Sequence, residues 1–375
     1  MKFTIAGDSH GSAIFGILEG IPAGFSLSTD FVDRQLARRQ SGYGRGKRMQ
    51  IEQDRARVVA GLWNGQTTGA PLVVEIANRA SNAERQERSV PRPGHVDFAA
   101  WTRYGLQDLS AYAERSSARY TASLTSIGAI AAEMLSEIGI VINGSVIAIG
   151  RAFCKFPTEE NWLRERDDSP VFCHDREASK LMVREIESAI EAGDTLGGQF
   201  VVIGEGIPPG IGGYGDLFER LDSRIGKFFM TIPSVKGVII GNPDVSLSGR
   251  EYHDAFSLSE SKIVRDSNNA GGVEGGISNG QPIVVTAIVK PIPTLRNGIN
   301  SVDLKSFSQT ISPYVRSDVT AVPAASVVGE SVMALLVLEA LLERFGTGNF
   351  RSFKGRVEDA SILDWNDGLG EKHNR

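Results

Sequence analysis

Between Arg34 and Arg48 the chain places six cationic side chains and no acidic one: Arg34, Arg38, Arg39, Arg45, Lys47 and Arg48, interleaved with Gly42, Gly44 and Gly46. A guanidinium is always charged and presents a planar fork of donors that matches the oxygens of phosphate and carboxylate. Glycine lets backbone approach a ligand closely. The run therefore reads as a site for a polyanion. The chain as a whole carries a formal net charge of −5. That argues against a general affinity for nucleic acid and makes the run a local exception.

Other side chains offer acid–base chemistry. His10 sits in the glycine turn Gly7-Asp8-Ser9-His10-Gly11. It reads either as a general acid working near neutral pH or as a turn histidine bonded to backbone. His95 lies in Arg92-Pro93-Gly94-His95-Val96-Asp97. The prolines stiffen that loop and Asp97 can orient the ring, although a plain surface loop fits too. His174, His253 and His373 lie in polar stretches and read as solvated. Without an HExxH or a paired Cys/His spacing, no metal site is expected. Cys154 and Cys173 are the only cysteines. They read as a redox or metal pair, or as two incidental thiols in a reducing cytosol.

Arg115-Ser116-Ser117-Ala118-Arg119 brings two guanidiniums and two hydroxyls before a helix. The segment can hold a phosphate or simply cap the helix. In Arg316-Ser317-Asp318, Asp318 is either a base or the ion-pair partner of Arg316. Gly210–Gly215 fits GxGxxG, but Pro208-Pro209 interrupts the approach a dinucleotide site requires. The glycine-rich stretch Gly271–Gly280 can lie flat against a planar ring or serve as a long connection.

The elements that must hold these residues occur twice. Residues 7–24, GDSHGSAIFGILEGIPAG, parallel residues 193–210, GDTLGGQFVVIGEGIPPG. Farther on, 69–74 parallels 280–285, and Arg115-Ser116 parallels Arg316-Ser317, each ahead of an apolar helical stretch, 125–138 and 330–345. This order implies an internal duplication. His10 then has Leu196 as its counterpart, so its task belongs to one half. Strands are expected at 13–18, 72–76, 199–203 and 283–289, and helices at 30–40 and 217–229. The expected fold class is α+β, an internally duplicated core with a shared cleft. A single domain spans 1–345, with repeats near 1–146 and 191–345. A helical insert occupies 151–190, and 346–375 form a peripheral tail. The N-terminus lacks the apolar stretch of a signal peptide, so a soluble cytoplasmic protein without membrane contact is expected.

Seven motifs occur here in the order found in chorismate synthases: GDSHG, RRQSGYGRGKRM, RPGHVD, RSSARYTA, GGVEGGISNGQPIVV, KPIPT and RSDVTAVPAA. The resemblance covers roughly residues 5–345. It implies a sandwich of long helices between two antiparallel sheets, usually as a homotetramer. It also implies a 1,4-elimination of phosphate from 5-enolpyruvylshikimate 3-phosphate to give chorismate, dependent on reduced FMN, with NADPH or an external flavin reductase as the source of reduction. By resemblance, Arg39, Arg45, Arg48, Arg119, Arg316 and Ser117 hold the substrate. His10 donates a proton to the leaving phosphate, His95 balances charge near the flavin, and Asp318 helps remove the ring hydrogen. FMN contacts map to Arg115, Ser116, Ser117, Gly275, Lys290, Pro291, Ile292, Pro293, Thr294 and Arg316. Ser234 stands with Pro233 where many members carry Asn-Ala or Gln-Ala, so its contact would come from backbone. Arg39 and Arg45 are also candidates for NADPH.

Overall fold

The computed structural model describes residues 1–45, 53–78, 87–157, 161–259, 262–315 and 318–362. Arg48 and Arg316 lie outside the described residues, as do Lys47, Ser317 and His373. The helices are α1 (Thr29–Gln40), α2 (Asp97–Tyr104), α3 (Ser110–Ser116), α4 (Thr121–Ser136), α5 (Trp162–Asp168), α6 (Arg176–Ala192), α7 (Leu221–Phe229), α8 (Gly249–Tyr252), α9 (Val322–Phe345) and α10 (Phe350–Ile362). The main strands are β1 (Lys2–Gly7), β2 (Ala13–Glu19), β3 (Arg57–Ala60), β4 (Leu72–Ala77), β5 (Val141–Ile149), β6 (Ala152–Phe153), β7 (Gly198–Glu205), β8 (Val235–Ile240) and β9 (Ile283–Val289).

They form two antiparallel sheets, in the orders β1-β2-β4-β3 and β8-β9-β7-β5-β6. Antiparallel pairing rules out the parallel βαβ unit a dinucleotide fingerprint needs, in keeping with the proline-interrupted approach to Gly210. β2 alternates, with Ile14 and Leu18 buried, as a strand with one covered face does. Helix α4 packs on β2 and β4, α9 packs on β5 and β7, and α4 and α9 pack on each other. They meet where α4 carries glycine: a Cβ on Gly128 would lie 2.3 Å from Ser331 Cβ and 2.6 Å from its backbone. A side chain there would force the helices apart.

Helix α9 alone among the described helices is long and apolar enough to cross a membrane, and 94% of its most apolar stretch is buried. It is a core helix, apolar on all sides because neighbours surround it.

Strands at 13–18, 72–76, 199–203 and 283–289 and the helix at 30–40 appear where the sequence places them, within a residue or two. Helix α9 begins eight residues before the expected 330, with proline in its first turn, where a missing N–H does no harm. Helix α7 begins four residues after the expected 217, and Leu217 and Phe218 are exposed. The segment 151–190 is largely helical, with α6 packed on β5 and β6. The peripheral tail needs correction. Residues 350–362 form α10, whose Phe353 and Val357 are buried in the core. Those two are four apart and so share one helix face.

Candidate functional site

Of the four cations of the arginine–glycine run among the described residues, Arg39 and Arg45 join a site. Arg34 is exposed and lies over the Phe31 ring. Arg38 is bound to Glu330 of α9 by two hydrogen bonds of 2.7 and 3.0 Å, a pairing within the protein. Arg39, in the last turn of α1, is buried. Its Nε donates to Thr121 Oγ1 at 2.8 Å and one Nη to the Ala118 carbonyl at 3.0 Å. Gly42 and Gly44 have φ of +106° and +83°. An added Cβ would meet Pro323 at 3.1 Å and Ile186 at 3.0 Å respectively. These glycines fit the loop against α6 and the start of α9. That packing delivers Arg45 to Asp318, 2.7 Å away.

The expected residues meet in one polar network. Asp54 accepts from Arg119 at 2.6 and 2.8 Å and lies 3.5 Å from Arg39. Arg119 also donates to Asn78 Oδ1 at 2.8 Å, and the Asn78 amide donates to the carbonyls of Asp8 and Gly11. Ser9 Oγ donates to Ser117 Oγ at 3.1 Å, which caps the turn leading into α4. His10 pairs with Glu114 of α3 at 2.8 Å. Arg45 donates to the Arg39 carbonyl at 3.2 Å. His10, Ser117, Arg119, Arg39, Arg45 and Asp318, scattered over more than 300 positions of the chain, thus belong to one contiguous set.

Two donors in this set are buried without a hydrogen bond among the described residues: Arg45 Nε, and Arg39 Nη1, whose nearest acceptor is Asp54 at 3.5 Å. Buried polar groups left unpaired are costly, so these mark a place for an acceptor. Burial, reinforced by the charges of Arg45 and Arg119, lowers the pKa of Arg39 to about 9 against the pull of Asp54 and Asp318. Arg39 still carries its charge at neutral pH, and an anion would relieve the site.

A second cluster surrounds His95. Its Nδ1 lies 2.5 Å from Asp97 Oδ1, and Arg92 donates to Asp97 Oδ2 through Nε at 2.8 Å and through its backbone N–H at 3.1 Å. Burial alone would raise the Asp97 pKa. The bonds from His95 and Arg92 outweigh it and hold the carboxyl well below its usual range. Such a group contributes stability above its unfolded pKa, near 4, and loses it as pH falls further. Asp97→Ala is expected to lower stability by roughly 3 kcal/mol at pH 7. The gap to wild type should narrow below about pH 4. Urea unfolding at pH 7 and pH 3.5 checks this, and an equal gap at both pH values counts against it.

The Lys290–Thr294 segment borders this loop. Lys290 Nζ donates to the Gly94 carbonyl and its N–H to the Ser234 carbonyl. Ser234 has φ +70°, uncommon for a residue with a side chain. Thr195 Oγ1 donates to the Ile292 carbonyl and Leu196 N–H to the Val319 carbonyl, so the segment is tied to the neighbourhood of Asp318. Ser116 Oγ donates to the Tyr112 carbonyl and Arg115 to the Ile5 carbonyl. Gly275 and Gly276 form the two-residue turn of a hairpin between Val273–Glu274 and Ile277–Ser278, both with positive φ. Gly275 is exposed, and an added Cβ would meet nothing within 4 Å. The glycine-rich stretch is thus partly a structured hairpin.

Sequence reasoning missed Asp54, Asn78 and Glu114, whose partners Arg119 and His10 lie 41 to 104 positions away. It also misread His174, which is half-buried, bonded to Ser145 Oγ at 2.9 Å and set edge-on to Trp162. The two thiols lie 3.6 Å apart, and with His174 they make three close donors, one fewer than a structural zinc site uses.

The family model described as chorismate synthase matches residues 1–342. A chorismate synthase of Thermotoga maritima is 50% identical over the full length of both chains. One from Desulforudis audaxviator is 44% identical, covering 92% of this chain and 93% of its own. A solved structure titled "Crystal Structure of Chorismate Synthase" superposes with a TM-score of 0.80 at 34% identity, covering 97% of this chain and 98% of its own.

Proposed function

The chain belongs to the chorismate synthase family, and from that premise we propose what its site does. It is an enzyme, a carbon–oxygen lyase acting on a small phosphorylated substrate in aromatic amino-acid biosynthesis. We infer that the substrate is 5-enolpyruvylshikimate 3-phosphate. The C–O bond to phosphate breaks, a ring hydrogen leaves, and a new double bond gives chorismate.

The observation that carries this reading is the meeting of Arg39, Arg45 and Arg119, two of whose buried donors lack a hydrogen bond, with His10 and Asp318 at the edges of the same network. A phosphate and two carboxylates need several cations in a site with little water. Arg39, Arg45, Arg119 and Ser117 supply them. By resemblance Arg48 and Arg316, outside the described residues, share the task. His10 gives a proton to the departing phosphate, which makes it a better leaving group. Asp318, held by Arg45, takes part in removing the ring hydrogen.

The residues present suit FMN at Gly275, where a bare backbone lets a planar ring approach. Arg115, Ser116, Ser117, Gly275, Lys290 through Thr294, Arg316 and the Ser234 backbone would hold it, with His95 and its Asp97 partner near the ring. When bound, reduced FMN would supply transient electron density to the elimination, with no net redox change. Whether reduction comes from NADPH, with Arg39 and Arg45 as its anchors, or from an external reductase is a separate choice. We further read the two sheets and the paired α4 and α9 as a duplicated sandwich in a cytoplasmic homotetramer. The exposed apolar residues of the 256–265 hairpin, Phe256 and Leu258 foremost, support association.

One anaerobic assay tests the reaction. Purified protein, substrate and photoreduced FMN should release phosphate, and omission of flavin should abolish release. Undiminished release without flavin would refute the cofactor assignment. Reductant consumed in step with product would make the enzyme a net oxidoreductase.

A further inference from the structure

We propose that Glu114 is a positioning residue for His10, fixing which ring nitrogen faces the ligand. The proposal rests on the lyase reading above. Three bonds join Glu114 to the His10 turn. Its Oε1 lies 2.8 Å from His10 Nδ1, its Oε2 accepts the His10 backbone N–H at 2.8 Å, and its carbonyl accepts Ser9 N–H at 3.3 Å. One carboxylate therefore holds the ring and the backbone that carries it. The side chains are 14% and 31% exposed, so the carboxylate is the more enclosed partner and the imidazole keeps an open edge.

An ionised carboxylate only accepts, so this contact requires the proton on Nδ1. Nε2 is left as the nitrogen that meets the substrate. When His10 is protonated, Nε2 carries the transferable proton. Donating it to a phosphate oxygen returns the ring to its neutral Nδ1–H form, still bonded to Glu114. A carboxylate orienting a catalytic imidazole in this way recurs in acid–base sites. The groups around the pair suit the task. Asp8 and Ser9 lie in the same turn, Ser117 and Arg119 follow α3, and the Arg115 guanidinium turns away to the Ile5 carbonyl.

The duplication gives independent support. His10 aligns with Leu196, and because Arg115 aligns with Arg316, Glu114 aligns with Val315. Both members of the pair are polar in one half and apolar in the other. A carboxylate serving only to cap or solubilise α3 would have no reason to follow the histidine.

Two measurements decide the matter. Nitrogen-15 NMR of the histidine rings in the intact protein should show His10 protonated at Nδ1, and in Glu114→Ala a shift toward the Nε2–H form that free histidines favour. An Nε2–H ring in the wild type overturns the proposal, whatever the activity. In the phosphate-release assay, Glu114→Ala should lower kcat about 10- to 100-fold with KM within about threefold. Glu114→Gln, which keeps an acceptor, should recover part of the loss. The double variant His10→Ala/Glu114→Ala should be no slower than His10→Ala, because Glu114 acts through the ring. Losses that multiply in the double variant overturn the proposal. A wild type inactive with reduced FMN refutes the functional reading instead, and the NMR result then judges the Glu114 pairing alone.

Discussion

Asp318→Asn is expected to leave substrate bound and all but stop its conversion, with kcat reduced about 10²- to 10⁴-fold. Asn keeps the size of Asp and an oxygen that accepts from Arg45, which sits 2.7 Å from the native carboxylate. The loop of residues 41–45 is anchored separately, by Tyr43 N–H to the Pro170 carbonyl and Val319 N–H to the Gly44 carbonyl. The substitution therefore removes a charge and a basic oxygen without dismantling the cluster. Arg45, freed of its anionic partner, should hold an anionic ligand at least as well as before. Equilibrium binding and single-turnover phosphate release separate the two effects. Turnover at the wild-type rate would remove Asp318 from the mechanism, and loss of binding alone would make it an architectural residue.

The largest effect on stability is expected at Asp54. Its side chain is buried and stands between Arg119 and Arg39. In Asp54→Ala both guanidiniums stay enclosed while the carboxylate that offsets them is gone. Breaking a buried ion pair from one side costs about 3–5 kcal/mol, much of it the penalty of the stranded charge. Phosphate added at high concentration should recover part of the loss in this variant, because an anion that binds only the folded state stabilises it. Denaturant unfolding with and without phosphate reads both outcomes. A variant within about 0.5 kcal/mol of wild type, the range of an ordinary surface change, would mean water or rearrangement already satisfies the arginines.

The contrast between Asp54 and its partners shows what a sequence discloses about such a site. Arg39, Arg45, Arg119 and Asp318 were legible because they sit in dense local patterns. Asp54 stands in a short irregular stretch before β3, and only folding brings it to Arg119, 65 positions away. Glu114 is similar, since His10 lies 104 positions away. The regular elements divide the same way. Strands at 72–76 and 283–289 were plain from their β-branched runs, since local composition and burial agree there. The early turns of α9, Val322–Gly329, were not, because their proline, serine and small residues lack the apolar run that marks 330–345, while close packing makes them helix. Leu217 and Phe218 misled in the opposite sense, since apolar spacing suggested a helix face where the chain is exposed. The polar composition of 346–375 concealed the Phe353–Val357 pair that anchors α10.

The place of α9 in the chain has a consequence for synthesis. It spans Val322–Phe345 of 375 residues, so both sheets and α4 leave the ribosome before it does. Until then β5 and β7 lack the helix that covers them, and α4 lacks the partner its Gly128 is shaped to meet. Residues 121–205 therefore emerge with an apolar face that only residues 322–345 can close. Contacts of such long sequence separation form late, and surface waiting for them is open to association with other chains. Birth is the vulnerable interval for this molecule, and a chaperone able to shield the open sheets until the last long helix arrives would meet that need.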